Sequence, residues 1–409
     1  MKQKLLIIGS VWPEPKSSAA GSRMLQLISL FKDCAWDITF ATATQDSPNR
    51  YPIEDLGVHL QSILLNDASF DIFVKDLQPT IVLFDRFMVE EQFGWRVATT
   101  CPEALRILDT EDLHCLRKAR QLAVKEKRAF KEEDLNSDTA KREIASIFRS
   151  DLTLMISTYE MSLLTTYFKV PDTIVHYLPF LVTPPSESEL SKRPTFEERA
   201  HFCTIGSFRH EPNWDSVRYL KESIWPLLRK ELPHAEMHIY GSYPPQKAMQ
   251  LHNEKERFFI KGWAKDAQEV LQSARVCLAP LRFGAGLKGK FIDAMTVGTP
   301  SVTTSIGAEG MHDNLPWAGI VAEDIQELVL AAKQLYTDKT LWVSAQENSA
   351  AILKSFSKEV YAADFFKQIN QLQHSLHAHR NQNFIGSMLL HHSMRSTEFM
   401  SRWIAAKNK

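Results

Sequence analysis

Between residues 275 and 304 the chain holds a short apolar run, a loop broken by glycines, a helix-forming segment and a second short run. Two strands with one helix between them fit parallel pairing with a right-handed crossover and little else, because antiparallel neighbours need no such long connection. The first run, Arg275, Val276, Cys277, Leu278, Ala279, Pro280 and Leu281, is apolar at consecutive positions, as a strand covered on both faces must be. Gly284, Gly286 and Gly289 follow, with Lys288 and Lys290 where the helix begins. Glycines let a backbone approach a ligand closely and turn its N–H groups inward, and a helix start carrying ammonium groups attracts an anion. A phosphate is the expected occupant. Asp293 is the odd residue of an otherwise apolar helix, about one turn past the lysines. Its carboxylate can accept hydrogen bonds from a sugar diol, or pair with a lysine on a solvated face. Gly298 and Pro300 stop the helix, residues 301–304 form the next strand, and Gly307, Glu309 and Gly310 lie in a second glycine-rich loop.

The same alternation of strand and helix runs through the rest of the chain. Strands are expected at 5–8, 36–41, 80–84, 104–108, 152–156 and 175–178, then at 201–205, 236–240 and 258–260. Residues 183–194, with Pro184, Pro185, Pro194 and three serines, have the composition of a linker. The expected fold class is α/β, with two Rossmann-like doubly wound domains and a C-terminal helical tail. The expected divisions are a first domain at 1–182, a linker at 183–200, a second domain at 201–373 and a tail at 374–409 that packs back on the first domain. Residues 117–149 mix both signs of charge and read as a solvated helical surface.

The formal net charge of -1 gives no global attraction to nucleic acid, and no nucleic-acid partner is expected. Cys34, Cys101, Cys115, Cys203 and Cys277 are scattered without a close pair, which suits buried thiols in a reducing compartment. No apolar run approaches the ~20 residues of a membrane span, and a cytoplasmic protein is expected, with contact to a membrane surface left open. His374, His377, His379, His391 and His392 crowd the tail without carboxylates or cysteines at ligand spacing, so no metal site is assigned.

Candidate functional residues follow from position. Open α/β sheets keep their chemistry beyond the carboxyl ends of their strands. In the first half these places hold Gly21, Ser22 and Arg23, an acceptor-side loop, and Asp109, Asp112 and His114, an acid/base or hydrogen-bonding cluster. As alternatives, the first three belong to a plain loop and Asp109 or Thr110 starts the helix that follows. Ser157 and Glu160 have the spacing of a capping box. In the second half Gly206, Arg209 and Gly241 lie in loops facing the same crevice as Lys288.

Three pieces taken together resemble family 4 of the GT-B glycosyltransferases: residues 206–213, beginning Gly206, Ser207, Phe208, Arg209; residues 280–288, Pro280 through Lys288; and residues 304–310, with Gly307, Glu309 and Gly310. The resemblance covers roughly 202–367 and extends more weakly through the first half. It implies transfer of a sugar from a nucleotide sugar to an acceptor across an interdomain cleft, with retention of anomeric configuration and without a metal or other cofactor. The acceptor, whether glycan, lipid, protein or small molecule, is not identified. Carried over by position, the donor-binding residues are Gly206, Arg209, Gly284, Gly286, Leu287, Lys288, Asp293, Gly307 and Glu309, and the catalytic candidates are His114, Asp109 and Asp112. In that family two glutamates separated by seven residues bracket the glycine loop. Asp293 keeps the second in shortened form for the ribose, whereas Ala285 replaces the first, so the donor sugar must be held from elsewhere. Ser207 stands where an arginine is common, with Arg209 nearby. Two further readings stay open: a GT-B-fold nucleotide-sugar epimerase, and a nucleotide-binding module without catalysis.

Overall fold

Runs of consecutive apolar residues fold here into two separate parallel sheets. The computed structural model describes residues 3–408; Met1, Lys2 and Lys409, and the side chains of residues 392–395 with His392 among them, lie outside the described residues. The first sheet contains β1 (Lys4–Gly9), β2 (Asp37–Thr42), β3 (His59–Ser62), β4 (Ile81–Asp85), β5 (Leu105–Asp109), β6 (Leu152–Met155) and β7 (Val175–Tyr177), in the order β3-β2-β1-β4-β5-β6-β7. The second contains β8 (Ala200–Ile205), β9 (Met237–Tyr240), β10 (Phe258–Gly262), β11 (Ala274–Ala279), β12 (Ser301–Thr303) and β13 (Gly319–Val321), in the order β10-β9-β8-β11-β12-β13. Every strand pair is parallel, with Ile7 opposite both Phe40 and Leu83, and Cys277 opposite both Cys203 and Ser301. The central strands are buried along nearly their whole length, which is why their sequences run apolar without alternating.

In each sheet the strand order reverses once, between β1 and β4 and between β8 and β11. Loops leave such a point in opposite directions and open a crevice at the carboxyl ends of the strands. Two strands are absent from the sequence-based expectation, β3 and β13. Both are edge strands with exposed or half-exposed residues, so neither shows the continuous apolar run that marks a central strand.

The chain passes between the domains twice, side by side. Val182 donates its N–H to the Phe356 carbonyl at 2.8 Å, and Lys358 donates back to the Val182 carbonyl at 3.3 Å. The helix Lys358–His374 then lays Phe365, Ile369 and Leu372 into the first domain's core beside Leu5, Ile7 and Phe31. This return begins before the expected boundary at residue 373, because an i, i+4, i+7 apolar stripe faces the helix Ala19–Asp33. Phe31 meets Phe365 edge-on at 5.7 Å and Phe366 at 5.5 Å. Farther on, Arg380 binds Asp151 through two nitrogens at 2.7 Å, and His379 contacts the Asp151 carbonyl at 2.7 Å. Among the described residues no group of three or more His, Cys, Asp or Glu is placed to hold a metal, and no helix is long and apolar enough to cross a membrane. The five cysteines are free thiols; four are buried, while Cys34 is exposed because it ends the helix Ala19–Asp33 at the surface.

If the return helix is part of the first domain's core, Phe365→Ala lowers its stability by about 3–5 kcal/mol, since the cavity is closed on all sides. Urea unfolding followed by circular dichroism measures this, and a loss under about 1 kcal/mol contradicts the packing.

Candidate active site between the two sheets

The glycine loop after β11 is fixed as much by the first domain as by its own. Gly286 has φ of +61°, and a Cβ there would stand 2.8 Å from the Asp112 Cβ and 3.0 Å from the Glu111 carbonyl. Glycine is required twice over, by the left-handed backbone and by the touching surface. The Gly286 N–H donates to Glu160 Oε1 at 2.9 Å, and the Gly284 carbonyl accepts from Arg120 Nη1 at 2.9 Å. Lys288 is buried, with Nζ on the Gly286 carbonyl at 2.7 Å. Burial pulls its pKa below the usual amine range, against the nearby charge of Glu309. Lys290 Nζ donates to Asn213 Oδ1 at 2.8 Å, and Asn213 Nδ2 donates to the Ser207 carbonyl at 3.1 Å, which ties the loop after β8 to the start of the helix Gly289–Thr296. Burial brings Lys290 down to about 8. Asp293, half-buried one turn on, is pushed up to about 6 by burial and by Asp266.

Across the crevice the helix His114–Lys125 begins at Leu113, which has no side chain able to cap it. Its leading N–H groups are satisfied from other helices. Glu143 accepts from His114 N at 2.9 Å and Cys115 N at 2.8 Å, and Glu160 Oε1 accepts from Leu113 N at 3.0 Å. Asp112, just ahead, is paired with Arg117 and lies 3.4 Å from His114 Nε2. Burial works to raise the Asp112 pKa, but Arg117 and His114 hold it down at about 2. Burial lowers His114 to about 4, so its imidazole is neutral at pH 7. Behind them Arg86 binds Glu111 at 2.9 Å, and burial raises the Glu111 carboxyl.

The structure brings Gly284, Gly286, Leu287, Lys288 and Glu309 of the second domain together with Asp112 and His114 of the first. Leu287 packs in one apolar cluster with Ile156. Gly307 lies in the short helix Ser305–Ala308 capped by Thr304, and Glu309 follows it. Gly206 is wedged against Asn213, and Arg209 is exposed over the Tyr243 ring at 3.6 Å. Asp109 is not brought to the crevice: it is fully buried, with Oδ1 3.2 Å from Arg23 Nη2. Arg23 also donates to the Pro179 carbonyl at 2.5 Å, so this pair joins β5 to the chain beyond β7 inside the first domain. Gly21 presses on the Glu14 backbone and Ser22 donates to the Pro15 carbonyl at 3.2 Å, so these two fold back the loop that leads into their own helix.

Arg120, Glu143 and Glu160 are among the residues at this site that stand outside the sequence-based set. The mixed-charge segment 117–149 is not all solvated surface, since Arg120, Glu143 and Arg149 are buried, each with a partner of opposite charge or a set of backbone donors. Glu160 does not complete the expected capping box. Ser157 accepts from Glu160 N at 3.5 Å, but the Glu160 carboxylate turns to Leu113 and Gly286 instead. A charged residue placed one helical turn from apolar neighbours was the available signal, and it does not separate a buried pair from a surface one.

Removing the Arg23 guanidinium takes the ion-pair partner from the fully buried Asp109 carboxylate, so Arg23→Ala costs about 3–5 kcal/mol of stability. A melting curve that matches the unsubstituted protein would place the pair outside the fold's support.

Comparison with known proteins agrees with this fold. Residues 199–338 match the family model described as glycosyl transferases group 1. Among solved structures, sucrose-phosphate synthase from Thermosynechococcus elongatus superposes over 91% of this chain and 99% of its own, with a TM-score of 0.65 at 14% identity. Anabaena HepE, solved with UDP and glucose, covers 90% and 99% with a TM-score of 0.66 at 12% identity. TarM covers 90% and 99% with a TM-score of 0.67 at 11% identity. No curated protein sequence matches the chain. The two doubly wound sheets, the glycine loop at the second sheet's reversal point and these likenesses together give the chain a GT-B fold whose second domain resembles the group 1 glycosyl transferases.

Proposed function

We propose that the protein transfers a sugar, with retention of anomeric configuration, from a nucleotide sugar on the second domain to an acceptor admitted from the first. The observation that carries this reading is the position of Lys288 and Lys290. Both lysines stand at the start of the helix Gly289–Thr296, at the reversal point of the second sheet, on the loop whose Gly286 packs against Asp112. Lys288 Nζ spends one hydrogen bond on the Gly286 carbonyl and Lys290 Nζ one on Asn213, and each ammonium has three donors, so both keep capacity for a diphosphate. When a nucleoside diphosphate departs, negative charge builds on its oxygens, and the two ammonium groups with the positive helix end stabilise it. HepE is solved with UDP and glucose, which suits a donor of this chemistry.

The groups of the first domain divide the remaining work by protonation state. Asp112, ionised down to about pH 2, is too weak a base to take a hydroxyl proton at pH 7. It serves as a fixed negative charge opposite the positive character that develops at the anomeric carbon. Neutral His114 offers a hydrogen bond to a sugar hydroxyl without adding charge. Asp293 accepts from the ribose diol when ionised. The acceptor is a hydroxyl compound that enters over the loops of β1, β4 and β5.

Lys288→Ala lowers turnover at least about tenfold while the protein stays folded, measured with a panel of nucleotide sugars. Full activity in this variant contradicts the reading. The Asp293 carboxyl has its pKa raised to about 6, so it loses its charge as pH falls through that value. Donor affinity therefore weakens below pH 6 and falls again as Lys290 loses its proton near pH 8, whereas Asp293→Asn binds weakly and keeps only the fall at high pH. Titration calorimetry from pH 5 to pH 8 distinguishes the two shapes.

A further inference from the structure

We infer that Glu309 is the carboxylate that holds the donor sugar, and that Arg120, reaching in from the first domain, is the positioning residue that aims it. This rests on the donor reading above and adds the group that recognises the sugar itself.

Arg120 Nη1 donates both to the Gly284 carbonyl at 2.9 Å and to Glu309 Oε1 at 2.8 Å. Two acceptors on one nitrogen must be close neighbours, so the Glu309 carboxylate lies beside the peptide that leads into Ala285. Nη2 closes a bidentate pair on Glu309 Oε2 at 2.7 Å. The Ala285 methyl is buried in the first domain's apolar cluster, so a longer charged side chain at 285 would be driven into apolar contact. The site thus carries its carboxylate on the neighbouring loop. Lys288 Nζ sits on the Gly286 carbonyl, two residues from the Gly284 carbonyl that shares Arg120 Nη1 with Glu309, which places the carboxylate one step from the ammonium proposed for the diphosphate. In a nucleotide sugar, one step from the diphosphate is the sugar ring.

The bidentate pair engages one lone pair of each carboxylate oxygen and leaves the others for hydroxyl donors. Arg120 is itself locked. It is 5% exposed, with the Tyr159 ring 5.1 Å and the Phe130 ring 5.6 Å from its guanidinium carbon. Arg120 and Glu309 belong to different domains, so the sugar subsite is complete only while the two halves are closed. A donor arriving at separated domains meets the diphosphate lysines first and a fixed Glu309 second.

The test is titration calorimetry of the full chain with UDP, GDP and ADP, and with UDP-glucose, GDP-mannose and ADP-glucose as probes. For whichever base the unsubstituted protein accepts, Glu309→Gln binds the nucleoside diphosphate within about threefold but the sugar conjugate at least about tenfold more weakly. Arg120→Lys, which keeps the charge and loses the planar fork, shows the same selective loss. Equal weakening of both ligands makes the pair a general strap between domains and overturns the inference, as does unchanged sugar binding in either variant. If Glu309→Gln fails to fold, the Arg120→Lys and Glu309→Asp proteins carry the same comparison. If the unsubstituted protein binds none of the six probes, the donor reading fails and takes this inference with it; if it binds them and the variants do not discriminate, only this inference falls.

Discussion

The arrangement depends on a glycine loop of one domain being closed by charged groups of the other. Glu160 takes the Gly286 N–H and Arg120 takes the Gly284 carbonyl, so one buried carboxylate and one buried guanidinium read opposite polarities of a single short backbone segment. Neither residue is free to move. Glu160 is also the acceptor for the Leu113 N–H that opens a first-domain helix, and Arg120 is clamped on Glu309. Disturbing the loop therefore disturbs the helix start that carries Asp112 and His114. This coupling relates the two faces of the crevice more tightly than their separation along the chain suggests.

Electrostatics within the crevice is set by burial first and by neighbours second. Burial favours the neutral form of Lys290, His114, Glu143 and Asp293, lowering the bases to about 8 and 4 and raising the acids to about 7 and 6. Asp112 escapes because Arg117 is against it and reverses the sign. The Asp112 carboxylate is thereby held low in surroundings that push the Glu143 and Asp293 carboxyls up, and pairs of titratable groups pushed apart in this way mark places where chemistry is divided.

Much of this was legible in the sequence, for identifiable reasons. Central strands such as β1, β5 and β11 are covered on both faces, and continuous apolar runs show them directly. The loop around Gly286 was legible because left-handed backbone and close approach both demand glycine. The edge strands β3 and β13 were not, since water on one side lets polar residues in. Asp109 and Asp112 look alike from position, three residues apart beyond one strand. Only tertiary contact separates them, through Arg23 beneath one and Arg117 beside the other. Arg120 and Glu160 were hidden for the same reason: their partners lie 189 and 126 residues away.

The paired crossings at Val182 and Phe356–Lys358 carry a mechanical consequence. Two covalent ribbons stitched by two hydrogen bonds resist torsion between the halves far more than a lone connector would, and leave bending about a single line as the softest deformation. Such a joint behaves as a door on a fixed pin. Any opening about it would return the same surfaces to the same mates, so the joint itself helps set the register between Gly286 and Glu160.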